Sequence, residues 1–334
     1  MVKATLKTLI ARYGRQRWRL HNHELLILMY HRVLPPDYPE LDHVQPGMWI
    51  HPETLRKQLQ VLKTLYELVS LDEWVAAQRS DRPLPKRACA ITFDDGWHDN
   101  HDYALPILQQ EQVPATVFLT TGLIGTRRHF FPERLIRLLL ELQKSNQLDN
   151  EPWLAALVQE HHPGQAPAKG PELGAFLDET VVAAKRYSEL DLREKLSVAE
   201  KRLGLNEQFD PPDILDWSQV ATMKASGLIT FGAHTQTHLR LDRPYEQPLL
   251  EAEIVQCKED LLHHTGQQQA LFCYPNGDAS PQAAALVQQH YPAALTTERG
   301  WNHGESNLHQ LRRIGISEGN GAGRDFLCRL SGWL

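Results

Sequence analysis

The chain has 334 residues, of which 42% are hydrophobic and 23% are charged, so it can form one large α/β domain or two ordinary domains. A formal net charge of -6 and a pI near 6.3 argue against a nucleic-acid-binding protein, which normally carries a strongly basic domain. The sequence has neither an apolar stretch of transmembrane length nor the pattern of a signal peptide, so we expect a cytoplasmic location.

The first predicted element is a basic segment over residues 1–24. Its first twenty positions carry six lysines and arginines and no acid, and apolar residues recur there at helical spacing. Such a helix can pack on the rest of the protein, or it can bind peripherally to a membrane, which for a cytoplasmic protein is the inner face. We assign residues 25–334 to one main domain.

Seven short apolar runs then predict β-strands. They cover residues 25–30, 88–93, 115–119, 228–232, 270–274, 293–297 and 311–316. Helical patterns that separate the strands begin near His51, Ala104, Leu215, Pro248 and Pro281. This alternation predicts βα units and a mainly parallel sheet or barrel.

The alternation stops between about residues 130 and 212, where four successive stretches have helical patterns. A polar stretch with proline and glycine at residues 161–174 predicts a loop among these helices. The simplest interpretation is a helical insertion in the main domain.

Reactive side chains follow four of the predicted strands directly. His31 follows the first strand, Asp94 and Asp95 follow the second, His234 follows the fourth, and Asn276 lies just beyond the fifth. The carboxyl ends of parallel strands are where barrels and doubly wound sheets carry their chemistry. We therefore expect these residues to meet in one site.

Two of the candidate residues have the spacing of metal ligands. His234 and His238 are four residues apart, so on a helical turn they lie on one face and can bind one ion. This spacing alone is a weak motif. With one carboxylate it becomes a set of two histidines and one acid, which leaves coordination positions open, as hydrolytic zinc sites require.

The segments TFDDG (residues 92–96) and HTQTH (residues 234–238) resemble the first two motifs of the polysaccharide deacetylases. This family, also called the NodB-homology or carbohydrate esterase family 4 group, removes acetyl groups from glycans. MYHRV (29–33) and WIHPETLRKQL (49–59) resemble the branch that contains poly-N-acetylglucosamine and exopolysaccharide deacetylases. The resemblance covers about residues 25 to 318 outside the insertion, and it implies a distorted (β/α)7 TIM-like barrel.

The resemblance also implies roles for individual residues. Asp94 would be the general base, and Asp95, His234 and His238 would bind a divalent metal ion, usually Zn²⁺, with Co²⁺, Ni²⁺ or Fe²⁺ as alternatives. Thr235 would steady the histidine loop by hydrogen bonding. The substrate would be an acetylated glycan or a lipid-linked sugar.

The sequence departs from the family pattern at the third motif, arginine-x-proline-aromatic, which here is residues 273–276, CYPN. The arginine that orients the base is missing, and we hypothesise that Arg313 supplies its charge. The backbone N–H of Asn276 remains a candidate oxyanion donor. For the general acid, strand-end placement favours His31 over His309, which offers a match to a late family motif.

Three alternatives stay open. Non-haem Fe(II) oxygenases also use two histidines and one acid, but their acid follows the first histidine closely, whereas Asp95 precedes both histidines by a long stretch. An inactive glycan-binding homologue would account for the missing arginine, although Asp94 argues against it. A deformylase or amidase would act on a small or lipid-linked sugar.

The remaining residues of interest have structural interpretations beside the functional ones. Trp49, Trp97 and Trp301 could stack on sugar rings or pack in the core. Residues 98–101 repeat no known ligand spacing and predict a solvated helix start. The absence of a CxxC pair predicts free, mostly buried thiols at Cys89, Cys257, Cys273 and Cys328.

Overall fold

In the part of the chain that the structure describes, seven parallel strands close on themselves to form a barrel. The structure is a computed structural model that describes residues 7–11, 24–162, 169–205, 209, 212–321 and 323–331. The barrel strands are β1 (Glu24–Tyr30), β2 (Arg87–Phe93), β3 (Ala115–Leu119), β4 (Ile229–Ala233), β5 (Phe272–Cys273), β6 (Ala294–Arg299) and β7 (Leu311–Gly315). Each pairs in parallel with the next, and β7 pairs with β1. The predicted (β/α)7 barrel is therefore confirmed.

The strands form from continuous apolar runs because both of their faces are covered. All five residues of β3 are buried, and every residue of β1 except Met29 is buried. Such double-sided burial is typical of parallel strands with helices outside and packed side chains inside. All seven predicted runs match strands, with ends that differ by at most two residues.

Helices surround the barrel and form the predicted insertion region. They are α1 (Pro52–Leu65), α2 (Leu71–Arg79), α3 (Leu105–Glu111), α4 (Phe131–Lys144), α5 (Pro152–His161), α6 (Pro171–Ala184), α7 (Glu189–Arg202), α8 (Trp217–Ala225), α9 (Gln247–Glu251), α10 (Cys257–Thr265), α11 (Pro281–His290) and α12 (Gly323–Leu330). Two π-helical segments, Asn100–Ala104 and Ala252–Gln256, lead into α3 and α10. Helices α2 and α12 were not predicted, because eight or nine residues give too few turns for a clear period.

Short strands add to this framework. Glu67–Leu68 pairs with β2, and Asn302–His303 pairs antiparallel with β1. Arg32–Val33 and Trp49–Ile50 form a separate two-stranded sheet. This small sheet fixes the loop that leaves β1, and His31 lies at the start of that loop.

Helices α4–α7 lie between β3 and α8 and pack around their own hydrophobic cluster, which includes Leu135, Phe176 and Leu192. The barrel has its own separate apolar clusters. The predicted loop at residues 161–174 lies partly outside the described residues, and α6 begins before its predicted end. The insertion region is therefore a helical unit with its own core, and it contacts the barrel at the end where Thr237 and Asn276 lie.

Residues 7–11 are the described part of the basic segment at 1–24, and they are helical. Lys7 Nζ lies 3.1 Å from Asp325 Oδ1 of α12, so this stretch contacts the domain. Within the described ranges, no helix is both long and apolar enough to span a bilayer. Membrane contact by the basic segment stays a prediction.

Candidate metal centre and active site

The two adjacent carboxylates after β2 point in different directions because the backbone turns sharply between them. The Asp94 N–H donates to the carbonyl oxygen of Tyr30 at 3.0 Å and so continues the pairing with β1. Asp95 has φ 77°, in the left-handed region that residues other than glycine rarely adopt. As a result Asp94 faces Arg313, whereas Asp95 faces His234 and His238.

Asp95, His234 and His238 form a cluster that could hold one metal ion. Asp95 Oδ1 lies 3.3 Å from His234 Nε2 and 3.4 Å from His238 Nε2. Ligand atoms at about 2.1 Å from one tetrahedral ion lie about 3.4 Å from each other. The spacing and the chemistry of this donor set therefore fit a divalent metal such as Zn²⁺.

Neighbouring groups orient the three ligands. His234 Nδ1 donates to the carbonyl oxygen of Cys273 at 2.7 Å, which leaves Nε2 as the metal-binding atom. Trp97 Nε1 donates to Asp95 Oδ2 at 2.8 Å and leaves Oδ1 toward the histidines. Burial lowers the pKa of His238 to about 3, so its ring is neutral, as a ligand must be.

The histidine loop is held by Thr237. The Thr237 N–H and hydroxyl donate to the two carboxylate oxygens of Glu253 at 2.9 and 2.5 Å. Arg193 of α7 donates to the Thr237 hydroxyl at 2.8 Å and to its carbonyl oxygen at 2.6 Å. A buried carboxylate and an arginine of the insertion region thus fix the segment between the two ligands.

The predicted role of Thr235 in this loop is wrong. Its hydroxyl is buried and has no hydrogen-bond partner among the described residues. Thr235 instead fixes the turn through its backbone, with φ 63° and a carbonyl oxygen that accepts from the Thr121 N–H at 3.2 Å. His238 also has a left-handed backbone, with φ 62°.

Arg313 contacts the candidate base Asp94 with both nitrogens of its guanidinium. Nη1 donates to Asp94 Oδ1 at 2.7 Å and Nη2 donates to Oδ2 at 2.8 Å, and both side chains are buried. Burial alone would raise the pKa of Asp94, but the charge and hydrogen bonds of Arg313, together with the neighbouring His234 and His31, leave the pKa below its ordinary value. Arg313 Nη2 also lies 3.0 Å from Sγ of Cys273, the residue that occupies the position of the missing arginine.

His31 lies beside the base and His309 does not. His31 Nε2 is 3.9 Å from Asp94 Oδ2, and the side chain is 15% exposed. His309 lies just before β7, at the opposite end of the barrel from the site, and its Nε2 donates to the carbonyl oxygen of Tyr291 at 2.9 Å. The structure therefore brings only the first of these two candidates to the carboxylates.

Asn276 lies beyond β5 at the same end of the barrel, with φ 57°. Its Oδ1 accepts from Lys185 Nζ, which follows α6 of the insertion region, at 3.1 Å. Burial lowers the pKa of Lys185. Neither this lysine nor Arg193 carries a sequence signal, because both reach the site from helices without a motif.

Trp97 packs in the core, the second of its two predicted alternatives, and it also contacts the candidate ligand Asp95, which no sequence pattern indicated. Its ring is 1% exposed, so it orients Asp95 and is not available to stack on a sugar. Arg32 lies over this ring at 4.3 Å and donates to Asp99 Oδ2 at 2.9 Å. The predicted solvated helix start at residues 98–101 is therefore wrong for Asp99, which is buried in an ion pair.

The other sequence predictions have mixed outcomes. Trp301 is buried and donates to the carbonyl oxygen of Leu330, whereas Trp49 is half-buried against His51. Trp301, like Trp97, is thus unavailable to a sugar ring. All four cysteines lie in the described ranges and are buried and free, as predicted.

A family model and several known proteins match this chain. The family model described as polysaccharide deacetylase matches residues 81–159 and 175–293. A putative polysaccharide deacetylase of Bacillus subtilis is 26% identical over 115 residues, which cover 34% of this chain and 37% of that protein. The poly-beta-1,6-N-acetyl-D-glucosamine N-deacetylase of Escherichia coli K12 is 38% identical over 72 residues, 21% of this chain and 11% of that enzyme. The match thus spans well under two thirds of both relatives.

A longer match is to the poly-beta-1,6-N-acetyl-D-glucosamine N-deacetylase of Staphylococcus epidermidis, 25% identical over 226 residues, 64% of this chain and 73% of that enzyme. Among solved structures, deacetylase PplD of Streptococcus pyogenes superposes with a TM-score of 0.58 at 19% identity, covering 90% of this chain and 95% of that one. IcaB from Ammonifex degensii gives 0.58 at 17% identity, covering 92% and 98%. These structures share the barrel fold.

Proposed function

The chain belongs to the polysaccharide deacetylase family, hydrolases that act on carbon–nitrogen bonds other than peptide bonds, and we propose that it removes acetyl groups from a glycan with a bound metal ion. The bond cleaved would be an N-acetyl amide or, as a variant of the same chemistry, an O-acetyl ester. The observation that carries the proposal is that Arg313 holds the Asp94 carboxylate beside the Asp95–His234–His238 cluster.

Asp95, His234 and His238 would hold the metal ion. Two imidazoles and a carboxylate suit Zn²⁺, and they also accept Co²⁺, Ni²⁺ or Fe²⁺. When bound, such an ion supplies a Lewis acid that polarises the acetyl carbonyl and lowers the pKa of water. The hydrogen bonds from His234 to Cys273 and from Trp97 to Asp95 would keep the ligand atoms in place before the ion arrives.

Asp94 would accept the proton of the attacking water. Arg313 favours the ionised carboxylate, and its two hydrogen bonds use one lone pair on each oxygen. Oδ2 also has a contact from Cys273 Sγ at 3.7 Å, so the second lone pair on Oδ1 remains for the water. Arg313 thus acts as a positioning residue, since it touches the base and not the reacting atoms.

His31 would protonate the leaving amine. It lies near Asp94 and is partly exposed at the mouth of the barrel, where a substrate can reach it. The backbone N–H of Asn276 would stabilise the oxyanion of the tetrahedral intermediate, and the contact with Lys185 would fix its loop.

An acetylated glycan is the substrate class we favour, because two relatives carry the name of an N-deacetylase of poly-N-acetylglucosamine. A lipid-linked sugar, or a formyl group instead of acetyl, would use the same site. The inactive-homologue alternative rested on the missing arginine of the third motif, and the Arg313–Asp94 contact removes that argument.

The experiment is to measure acetate and formate release from a panel of acylated oligosaccharides and lipid-linked sugars with the Zn²⁺-loaded protein. Asp94→Asn should lower the rate at least about a hundredfold, because the general base is lost. Asp102→Asn is the matched control, since Asp102 is exposed and pairs with His98 and His101. Acetate release that survives Asp94→Asn would contradict the assignment of the base.

A further inference from the structure

A cavity of about 120 Å³ lies beside the metal centre, between the histidine loop and the insertion region. Its polar lining residues are Arg128, His129, Arg134, Arg193 and Thr237, and no described residue that lines it is acidic. Thr237 lies between the two ligand histidines. Phe130 also lines the cavity, and the centre of its ring is 5.0 Å from the centre of the His238 ring. The cavity is thus separated from the metal ligands by single side chains.

Three arginines line this cavity: Arg128, Arg134 and Arg193. Arg134 pairs with the buried Glu200, but Glu200 also pairs with Arg137. The buried Glu189 is likewise shared by Arg193 and Arg240. Glu200 and Glu189 thus each lie between two arginines.

Arg128 adds a further positive charge. Its Nη2 donates to the carbonyl oxygen of Gly122 at 2.8 Å, and it forms no ion pair with any described acid. Helix α4, of 14 residues, begins at Phe131 in the wall of the cavity and directs the positive end of its dipole there. The cavity therefore combines three guanidinium groups with a helix N-terminus.

His129 gives an independent indication of a ligand. Its side chain is 1% exposed, and neither ring nitrogen has a hydrogen-bond partner within the described ranges. The nearest described acid, Asp213, lies 4.0 Å away. Burial lowers the pKa of His129 to about 4, so the ring is neutral and carries one N–H. A buried N–H without an acceptor is destabilising, and an oxygen in the cavity would satisfy it.

We propose that this cavity binds an oxyanion of the substrate, a carboxylate or a phosphate group on a unit next to the acetylated sugar. The inference rests on the proposed function and narrows it to anionic glycans. Guanidinium groups recognise both oxyanions through paired hydrogen bonds. Thr237 and Phe130 lie between the cavity and the metal ligands, so neighbouring units of one glycan could reach the two places.

The first test uses inorganic phosphate as the probe and the metal-loaded protein. Thermal unfolding is followed during a phosphate titration, with chloride at matched ionic strength as the reference. The wild type should gain stability with phosphate in a saturable way, and Arg128→Glu should lose most of that gain. Arg79→Glu, an exposed arginine at the end of α2, should keep it. A wild type that does not respond, or an undiminished response in Arg128→Glu, would overturn the proposal.

The second test compares neutral, carboxylate-bearing and phosphate-bearing acetylated oligosaccharides as substrates. Arg128→Gln should raise KM about tenfold or more for the anionic substrate that fits, since a charge-assisted hydrogen bond is lost. Its kcat, and the kinetics on neutral glycan, should change little. The substrate whose KM rises shows whether the oxyanion is a carboxylate or a phosphate. An equal increase in KM for the neutral and both anionic oligosaccharides would contradict the proposal. If the wild type releases no acetate from any of these substrates, the proposed function is wrong. The phosphate titration then still tests whether the cavity binds an oxyanion.

Discussion

Arg313 and Asp94 are 219 positions apart in the chain, and yet their side chains form a buried pair inside the barrel. The pairing depends on the closure of the barrel, because β7 and β2 both adjoin β1. Removal of the guanidinium would leave a buried carboxylate without its counter-charge, which is far more costly than the loss of an exposed pair. We therefore expect the pair to control the protonation of Asp94, the proposed base.

Arg313→Met should lower kcat about a hundredfold or more and move the acidic limb of the pH–rate profile to higher pH. The limb moves to higher pH because burial raises the pKa of Asp94 and the Arg313 charge lowers it. Without that charge the carboxylate binds its proton at higher pH and ceases to act as a base. The measurement is the initial rate of acetate release against pH.

Arg312→Met is the control for this change, because Arg312 is exposed and pairs with Glu298 on the outside of the barrel. Addition of Cys273→Arg to an Arg313→Ala variant should restore part of the activity, since Cys273 Sγ lies 3.7 Å from Asp94 Oδ2. An unchanged acidic limb in Arg313→Met would show that the pair does not set the pKa of the base.

Glu133 makes the stability of the fold depend on pH. It lies on α4, its Oε2 has no partner among the described residues, and burial raises its pKa to about 8. The unfolded chain has a pKa of about 4.3 at this residue, so folding favours the protonated form. The contribution is fully present below about pH 4 and is lost as pH rises through about 8.

Glu133→Gln should therefore lose less thermal stability than the wild type when the pH is raised from about 6 to about 9. The measurement is the Tm of both proteins across this range. Glu141→Gln, on the same helix with a 41% exposed side chain, is the matched control. Parallel Tm curves for Glu133→Gln and the wild type would contradict the assignment.

At the scale of elements, the insertion region contacts residues of the candidate active site. Arg193 of α7 holds Thr237, and Lys185 after α6 holds Asn276. Arg193→Gln should weaken metal binding about 10- to 100-fold, as loss of outer-shell contacts does elsewhere. Competition with a chromogenic chelator measures the affinity.

Arg186→Gln is the control for Arg193→Gln, because Arg186 follows α6 and its guanidinium pairs with Glu160 away from the histidine loop. The two variants remove the same charge from the same region. Equal metal affinity in both would mean that the loop keeps its shape without Arg193.

The strands of the barrel were predictable because parallel strands covered on both faces leave unbroken apolar runs, as β3 shows. The hydrogen-bond partners of individual side chains could not be predicted in the same way. Thr235 and Thr237 are the same residue type two positions apart, and only the fold brings Glu253 to the second. The pairing of Asp99 with Arg32 likewise depends on a contact between segments that are far apart in the chain, which no local pattern encodes.

For the molecule as a whole, metal binding should stabilise the fold. A ligand that binds only the folded state at about 1,000 times its Kd adds about 4 kcal/mol, so Zn²⁺ should raise the Tm by several degrees. His238→Ala should abolish most of this rise. His263→Ala, an exposed histidine on α10, should keep it. An equal Zn²⁺ response in His238→Ala would place the ion elsewhere.

The left-handed backbone at the two ligand residues Asp95 and His238 has an evolutionary consequence. Each such conformation costs a residue with a side chain of order 1 kcal/mol, and glycine would relieve that strain. Selection for stability alone therefore favours glycine at these positions, whereas selection for activity keeps the ligands. We expect that descendants freed from catalysis would keep the barrel and accumulate glycine at these positions, which would make them markers of when a lineage lost its chemistry.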